Sequence, residues 1–313
     1  MIAEFSGLHP HHQNRKRGLE ILHVLKRKRV SIQHATGSMH NIKTNDTFPS
    51  VMEEVRRANP KSIRFRDILS NLEERSKKKQ FLTAFETLRT DPAHDPYDPV
   101  TKPYCIWDLS LKPGGTLASS ISIPQQYQHG YVFRESKDGA PDISATITPP
   151  GTISEPHMDQ TGSGTLLIQV LGRKLFIVWP PTQKNLSWFS NKYGLHSGTI
   201  FEAALEALEM PYCLLLEQGD YSLLRPGHIH GVLSATPSAI AGVPVVHHDL
   251  RLEGELLMEW ESKLRDHRKT GSPDEHWTVD RLGDGLLEDR ALWARLDNIS
   301  VTMHGTNMDE EYI

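Results

Sequence analysis

Two histidines and one aspartate are the residues of this sequence whose types and spacing could support metal chemistry. His157 and Asp159 stand two positions apart, and His230 follows a Pro-Gly turn further along the chain. In an extended segment, residues two apart point to the same face, so His157 and Asp159 could reach one ion. About two such pairs are expected by chance from 17 His and 39 Asp plus Glu. The other pair is His247 and Asp249, so the surrounding sequence has to decide which of the two pairs is the candidate metal site.

The surroundings of His157 favour the first pair. Turn-forming residues lie on both sides of it, at 148–152 and 161–165. His157 is therefore expected at the end of a strand, where ligand residues are usually displayed. Lys174 lies in a later strand-like stretch, and a strand pair would return it near the metal, where its charge could hold an anionic cosubstrate. We expect His247 instead to cap the end of the last strand.

The donor types indicate which metal this site would hold. Two imidazoles and one carboxylate on one side of an ion, with the remaining positions open, are typical of non-haem Fe(II) oxygenases. A structural zinc site needs four protein ligands, and the sequence shows no obvious fourth. Cys105 and Cys213 are the two cysteines of the sequence, which excludes a disulfide framework and a cysteine-built zinc module within it.

Four phrases of the sequence together resemble the JmjC oxygenases, and the likeness extends over roughly residues 104–250. It is strongest to the histone lysine demethylase branch whose members also carry F-box or PHD-finger modules. The resemblance implies that His157, Asp159 and His230 are the catalytic ligands of Fe(II), with O2 as cosubstrate. The phrases are His157-Met-Asp-Gln-Thr-Gly-Ser-Gly-Thr165, Leu171-Gly-Arg-Lys-Leu-Phe176, Pro180-Pro-Thr-Gln-Lys-Asn-Leu186 and Gln218-Gly-Asp-Tyr-Ser-Leu-Leu-Arg-Pro-Gly-His-Ile-His230.

The same resemblance assigns a cosubstrate site. It implies that Lys174 pairs with the distal carboxylate of 2-oxoglutarate. Ser154 falls where the family often has a threonine that hydrogen-bonds this carboxylate, and a serine keeps the hydroxyl group. Both residues are therefore predicted to bind the cosubstrate.

The sequence departs from the demethylase branch on the substrate side of the site. His228 and Ile229 replace an aromatic pair that commonly precedes the last histidine, and Leu167 stands where demethylases often have a polar or aromatic group. With two cysteines, the sequence contains no PHD or CXXC zinc finger. His228 is expected to be exposed to solvent, with a position behind the metal ligands or on the substrate side as the alternative. Three aromatic residues are expected to pack in the core rather than form a methyl-lysine cage: Trp179, Trp188 and Phe189.

Short apolar stretches separated by Gly, Pro, Asn and Ser turns fill the central part of the chain. This alternation of short apolar stretches and turns predicts a mainly β fold, a double-stranded β-helix of the jelly-roll or cupin type, in a domain at 101–250. One of the stretches interpreted as a strand is 116–123. An insertion at 184–210 interrupts the strands, and its part at 201–208 reads as a helix.

Helical spacing of apolar residues predicts helical regions on both sides of the β domain. The N-terminal region at 1–100 is expected to include a helical layer over 48–88. The extension at 251–313 is expected to pack on the barrel or on a second copy of the chain, as a homodimer. Two basic clusters, at 15–17 and 26–29, allow either a nuclear-import signal or a solvated helix face.

Charge and hydropathy narrow the range of partners. A net charge of −4 and a pI near 6.5 argue against a protein that coats nucleic acid. The sequence has no apolar run of the roughly 20 residues that a membrane span requires, and its first residues lack the apolar stretch of a secretory signal. We therefore expect an intracellular protein, nuclear or cytoplasmic, without membrane contact.

Three functions follow from these residues. The first is an Fe(II)- and 2-oxoglutarate-dependent oxygenase that hydroxylates a protein or peptide substrate, with demethylation of methyl-lysine on a histone tail as one form. The second is a small-molecule oxygenase on the same scaffold. The third is a catalytically inactive, cupin-like binding module. Specificity is expected to depend on the insertion at 184–210 and the loops around it.

Overall fold

The computed structural model describes residues 1–38, 44–59, 63–68, 73–74, 77–98, 102–159, 162–192, 200–268 and 288–298. Its strands are β1 (Ser31–Gln33), β2 (Gly37–Ser38), β3 (Arg64–Asp67), β4 (Glu73–Glu74), β5 (Tyr104–Ser110), β6 (Val132–Phe133), β7 (Ser144–Thr148), β8 (Thr152–His157), β9 (Gly164–Leu171), β10 (Arg173–Trp179), β11 (Tyr212–Glu217), β12 (Asp220–Leu224), β13 (Ile229–Ser234) and β14 (Ser238–Val246). Its α-helices are α1 (Ile2–Ser6), α2 (Gln13–Arg27), α3 (Thr44–Arg57), α4 (Lys78–Thr90), α5 (Thr116–Ser120), α6 (Gln183–Lys192), α7 (Ile200–Ala207), α8 (Arg251–Arg268) and α9 (288–298).

The strands form two sheets that are mostly antiparallel. The smaller sheet has the order β1-β11-β10-β13-β8, and the larger has the order β2-β12-β9-β14-β7-β5-β3-β4, with β6 also paired to β14. From β7 to β14 the chain passes repeatedly from one sheet to the other. This is a jelly-roll double-stranded β-helix, so the predicted fold is confirmed.

Side chains alternate along these strands between the barrel interior and two outer apolar clusters. On β10, Phe176 and Val178 belong to the interior cluster, whereas Ile177 and Trp179 pack in an outer cluster that includes residues of α2 and α7. Both faces of the strand are buried, which explains why it reads as a continuous apolar run. The predicted core role of the three aromatic residues is confirmed, because they lie in or against that outer cluster: Trp179, Trp188 and Phe189.

The prediction of a helical layer over 48–88 is partly wrong. Helices α3 and α4 lie in that span, but β3 lies between them and pairs with β5, which extends the larger sheet. Ile63 and Phe65 are buried and stand two residues apart, a spacing that places side chains on one face of a strand. Leu69 and Leu72, which were also part of that prediction, lie outside the described residues.

Two further strands in the N-terminal region close the open edge of the sandwich. Strand β1 pairs in parallel with β11 in the smaller sheet, and β2 pairs with β12 in the larger sheet. Ala35, between them, packs against the interior cluster. The segment therefore joins the two sheets at their shared edge, a contact between distant parts of the chain that local spacing does not indicate.

The strand predicted over 116–123 is wrong, because α5 begins there. Gly114 precedes it with φ +76°, and Leu117 of α5 is fully buried against the larger sheet. A short helix is enough to bury Leu117 in the core at this point, so the segment forms no strand. The insertion at 184–210 contains α6 and α7, and the helix predicted at 201–208 is confirmed.

The C-terminal helices pack on the barrel, one of the two arrangements that the sequence allowed. On α8, Leu252 and Leu256 remain 72% and 58% exposed, and a homodimer through these helices stays a prediction. None of the described helices is both long and apolar enough to cross a bilayer. The cluster that joins the C-terminal helices to the barrel consists of Val132, Val246, Leu250, Leu292, Trp293 and Leu296.

Candidate metal centre

The three predicted metal ligands converge at the mouth of the barrel. His157 is the last residue of β8, Asp159 follows it, and His230 lies near the start of β13. Their ligand atoms all lie within 4.8 Å of one another. Asp159 Oδ1 is 3.5 Å from His157 Nε2 and 3.6 Å from His230 Nε2. One cation could therefore contact all three side chains.

Backbone carbonyl groups orient both imidazole rings. His157 Nδ1 lies 2.7 Å from the carbonyl oxygen of Glu155, and His230 Nδ1 lies 3.1 Å from that of His228. A carbonyl accepts but cannot donate, so each Nδ1 carries the proton and each Nε2 keeps its lone pair free. This donor set suits a metal ion, because the free Nε2 atoms are the ones that face the Asp159 carboxylate.

A β-bulge in β8 turns His157 toward the barrel interior. His230 pairs with His157 and Val232 pairs with Ser154, so the pairing steps two residues along β13 and three along β8. Paired residues share a face of the sheet, and Val232 belongs to the interior cluster. Ser154 and His157 therefore both face the interior. In a regular strand, residues three apart would point to opposite faces.

Two of the three residues, Asp159 and His230, have the ionisation that metal ligands require. Burial disfavours the charge of Asp159, but the charge of His230, the hydrogen bond and charge of His157, and a hydrogen bond from Thr165 lower its pKa well below the usual range. Burial, together with the charge of His157, lowers the pKa of His230 to about 4. At neutral pH this gives a carboxylate and a neutral imidazole. Burial opposes charging of His157, but its contacts with Asp159 raise its pKa.

Lys174 lies in the barrel interior, deeper than the three ligands. It stands two residues before Phe176 on β10, so it faces the same interior side of the strand, and it is only 2% exposed. Burial lowers the pKa of its ammonium group to about 7, against a small opposing effect of Cys105. Val178, four residues further along β10, pairs with His230. At roughly 3.3 Å per residue, Lys174 is about 13 Å along the strand from the level of that ligand.

Lys174 has no carboxylate partner among the residues that the structure describes. Ser154, the other predicted cosubstrate residue, is half-buried on the interior face of β8. The interior therefore offers a cation at its deep end, a hydroxyl-bearing residue two strands away in the same sheet and a metal-type donor set at the mouth. The lysine side chain and a short dicarboxylate together could span this distance, with one end of the dicarboxylate at the lysine and the other at the ion.

No family model matches the chain. A segment of 130 residues is 33% identical to Jumonji C domain-containing protein 5 of Drosophila melanogaster. This match covers 39% of the chain and 31% of the relative, so the chain spans about a third of that protein's length. The chain thus combines similarity to a Jumonji C protein over this segment with a jelly roll and a His-Asp-His grouping that could hold a metal ion. The similarity does not distinguish the demethylase branch.

The other His-x-Asp pair has a structural position, as the sequence suggested. His247 follows β14 and its Nδ1 accepts a hydrogen bond from the backbone N–H of Asp249 at 3.2 Å, at the start of a short 3-10 turn. The His247 ring stacks on Tyr131 with 4.1 Å between ring centroids. In the described part of the chain, this pair belongs to no group of three metal-type ligands.

The prediction that His228 is exposed is wrong. His228 is buried, and burial lowers its pKa. Helix α8 packs over the turn that precedes it, where Leu257 lies against Gly227. Leu167, which departs from the demethylase pattern, lies in the apolar interior cluster. The covering helix comes from a distant part of the sequence, so no local pattern near His228 reports it.

The C-terminal helix α9 also holds Gly162, three residues after Asp159. The backbone N–H of Gly162 donates to Asp289 Oδ2 at 2.8 Å, and its carbonyl accepts from Trp293 Nε1 at 2.8 Å. Asp289 is fully buried, and burial raises its pKa. Asp289, Trp293 and Thr165 were not predicted from the sequence, because hydrogen-bonding residues at such positions belong to no recognisable motif.

Proposed function

We propose that this chain is an Fe(II)- and 2-oxoglutarate-dependent oxygenase of the JmjC type that acts on a protein substrate. The observation that carries the proposal is the convergence of His157, Asp159 and His230 at the mouth of a barrel whose interior also holds a buried lysine, to which no described residue offers a carboxylate. The three converging side chains match the metal ion that the reaction requires, and the buried lysine matches its anionic cosubstrate.

The residues divide the work of binding. His157, Asp159 and His230 would hold Fe(II), and Lys174 would pair with the distal carboxylate of 2-oxoglutarate, with Ser154 as a hydrogen-bond donor to it. An iron centre of this kind, with 2-oxoglutarate and O2, supplies the oxidation of an unactivated C–H bond. The apolar interior lining would keep water away from the bound cosubstrate.

A protein side chain is the substrate class that we propose. The side chains of His157 and Asp159 are 42% and 36% exposed, so the mouth is accessible from outside the barrel. Hydroxylation of a carbon side chain would leave a stable alcohol. Hydroxylation of an N-methyl group would release formaldehyde and the free amine, which is demethylation, and a methylated histone tail is one substrate to test.

An anaerobic titration tests the proposed function. Addition of Fe(II) and then 2-oxoglutarate should produce a weak visible charge-transfer band that is absent in His157→Ala. Succinate release upon admission of O2, with oxygen incorporated into a peptide or formaldehyde released from one, would then identify the substrate class. Turnover confined to small molecules would favour the small-molecule alternative. A folded wild-type chain that binds neither metal nor 2-oxoglutarate would contradict the proposal and favour an inactive binding module.

A further inference from the structure

The bulge that turns His157 inward is anchored from outside the barrel through Glu155. One carboxylate oxygen of Glu155 accepts from Arg17 Nη1 on α2 at 2.5 Å, and the other accepts from the backbone N–H of Phe201 on α7 at 2.9 Å. The carbonyl oxygen of the same residue lies 2.7 Å from His157 Nδ1. Glu155 therefore joins the outer helices directly to a ligand ring.

Arg17 is itself held in a fixed position. Its Nε and Nη2 donate to the two carboxylate oxygens of Glu202 on α7, at 2.7 and 2.9 Å. Burial disfavours the guanidinium charge, but the hydrogen bonds to Glu202 and Glu155 raise the pKa of Arg17 above its ordinary value. The Arg17 and Glu155 side chains are 20% and 23% exposed. A planar guanidinium with two acidic partners in this setting is a strong, directional contact.

Helix α2 contacts two places along β8: the turn that leads into the strand and the bulge. Near its start, Asn14 Nδ2 donates to the carbonyl oxygen of Gly151, in the turn that leads into β8, at 2.9 Å. One helical turn later, Arg17 contacts Glu155 in the bulge. The helix thus fixes the strand before and at the bulge, and the register that presents His157 to the interior depends on both contacts.

We infer that Arg17 and Glu155 are positioning residues for the ligand His157. They hold the bulge from outside, and the Glu155 carbonyl group sets the orientation of the imidazole ring. This inference rests on the proposed metal site. Loss of the anchor removes no ligand, so it should weaken metal binding rather than abolish it. Groups that orient metal ligands typically contribute about 10- to 100-fold in affinity.

Glu155→Gln is the direct test, because glutamine keeps the size and an acceptor for the Phe201 N–H but loses the charge that faces Arg17. Anaerobic titration with Co(II), followed through its visible absorption, reports both affinity and ligand geometry. We expect affinity about tenfold weaker than wild type and an altered spectrum. Arg17→Lys keeps a cation without the planar fork, and it should give an intermediate loss.

Asp142→Asn is the matched control. It makes the same acid-to-amide change in a similarly half-buried ion pair, with Arg134 at 3.0 Å, on another part of the barrel. The control should retain wild-type affinity and spectrum. Unfolding temperatures without metal show whether each variant is folded, and Arg17→Lys serves if Glu155→Gln is not.

The outcomes separate the inference from the function on which it rests. A folded wild-type chain that fails to bind Co(II) would refute the metal site itself. Wild-type binding with equal affinity and an identical spectrum in folded Glu155→Gln or Arg17→Lys would overturn the positioning role. Equal weakening in the Asp142→Asn control would also overturn it, because the effect would then come from general destabilisation.

Discussion

The two ends of the barrel interior differ in how their charges are balanced. At the mouth, the Asp159 carboxylate lies within 3.6 Å of the Nε2 atoms of both His157 and His230, so a carboxylate and two imidazoles face one another where a cation could bind. At depth, Lys174 is buried without a carboxylate partner among the described residues. A buried charge without a partner costs free energy. The mouth thus has a carboxylate beside two titratable imidazoles even without a ligand, whereas the charge at the deep end gains most from an anionic ligand.

Removal of a mouth ligand should have the largest effect. We expect His230→Ala to lower Fe(II) or Co(II) affinity by more than about 100-fold, since loss of a ligand exceeds loss of an orienting group. Anaerobic titration measures the affinity. His247→Ala changes the histidine of the other His-x-Asp pair and should leave metal binding unchanged. Retained metal affinity in folded His230→Ala would show that the mouth does not form the site.

Removal of the deep charge should separate binding from stability. We expect Lys174→Met to abolish the thermal stabilisation by 2-oxoglutarate while metal affinity stays near that of wild type. Without ligand, the variant should unfold at a higher temperature at pH 7, because the buried charge is gone. Each kcal/mol corresponds to roughly 1.5 °C for a chain of 313 residues. Thermal melts with and without 2-oxoglutarate measure both effects. Full stabilisation of the variant by 2-oxoglutarate would contradict the assignment.

The pH dependence of stability should report Lys174 directly. Its pKa is lowered to about 7 in the folded chain from an ordinary value of 10.5. Between these values the unfolded chain binds a proton that the folded chain has released, so this group makes the ligand-free protein more stable as the pH rises from 7 toward 10. Denaturant unfolding across this range measures the slope. Lys174→Met should lack the contribution, and an identical slope in the two proteins would argue against it.

The same titration should weaken cosubstrate binding at high pH. Only the charged ammonium attracts a carboxylate, and its fraction in the ligand-free protein falls up to about tenfold per pH unit above the pKa. The affinity for 2-oxoglutarate should therefore decline above pH 7, as measured by calorimetry on the metal-loaded protein. Metal affinity measured in parallel accounts for changes at the mouth. Constant 2-oxoglutarate affinity from pH 7 to pH 9 would contradict a role for this lysine.

The smallest effect is expected from the hydrogen bond between Trp293 and Gly162, which lies three residues after Asp159. Trp293→Phe keeps the ring in its cluster but removes the hydrogen bond to the Gly162 carbonyl. A hydrogen bond of this kind contributes about 1 kcal/mol, so the unfolding temperature should fall by roughly 1.5 °C. Metal affinity should fall by less than in Glu155→Gln, because the loop keeps its Asp289 contact. Trp188→Phe, at a half-buried site on the outer cluster, is the control.

The sequence was most informative where side-chain type alone restricts the chemistry. The alternation of apolar runs and turns predicted the jelly roll, and the spacing of His157, Asp159 and His230 predicted a grouping that the structure brings together. The sequence predicted that Lys174 lies near the metal. The strand register adds the distance along β10 between Lys174 and the level of His230, which the sequence alone does not give.

The features that sequence analysis missed depend on contacts between distant segments. The bulge in β8 is visible only from its pairing with β13, and β1 and β2 form because the edges of β11 and β12 are open to them. His228 is buried by a helix that follows it by many residues. Such contacts leave no periodic pattern in the segment that they change, so spacing along the chain does not predict them.

A crystal structure of the protein with Fe(II) and 2-oxoglutarate, grown without O2, tests the central claim most directly. Anomalous scattering from iron should locate the ion in contact with His157 Nε2, Asp159 and His230 Nε2. The distal carboxylate of 2-oxoglutarate should lie within hydrogen-bond distance of Lys174 Nζ. Iron bound elsewhere, or 2-oxoglutarate bound away from Lys174, would contradict the account.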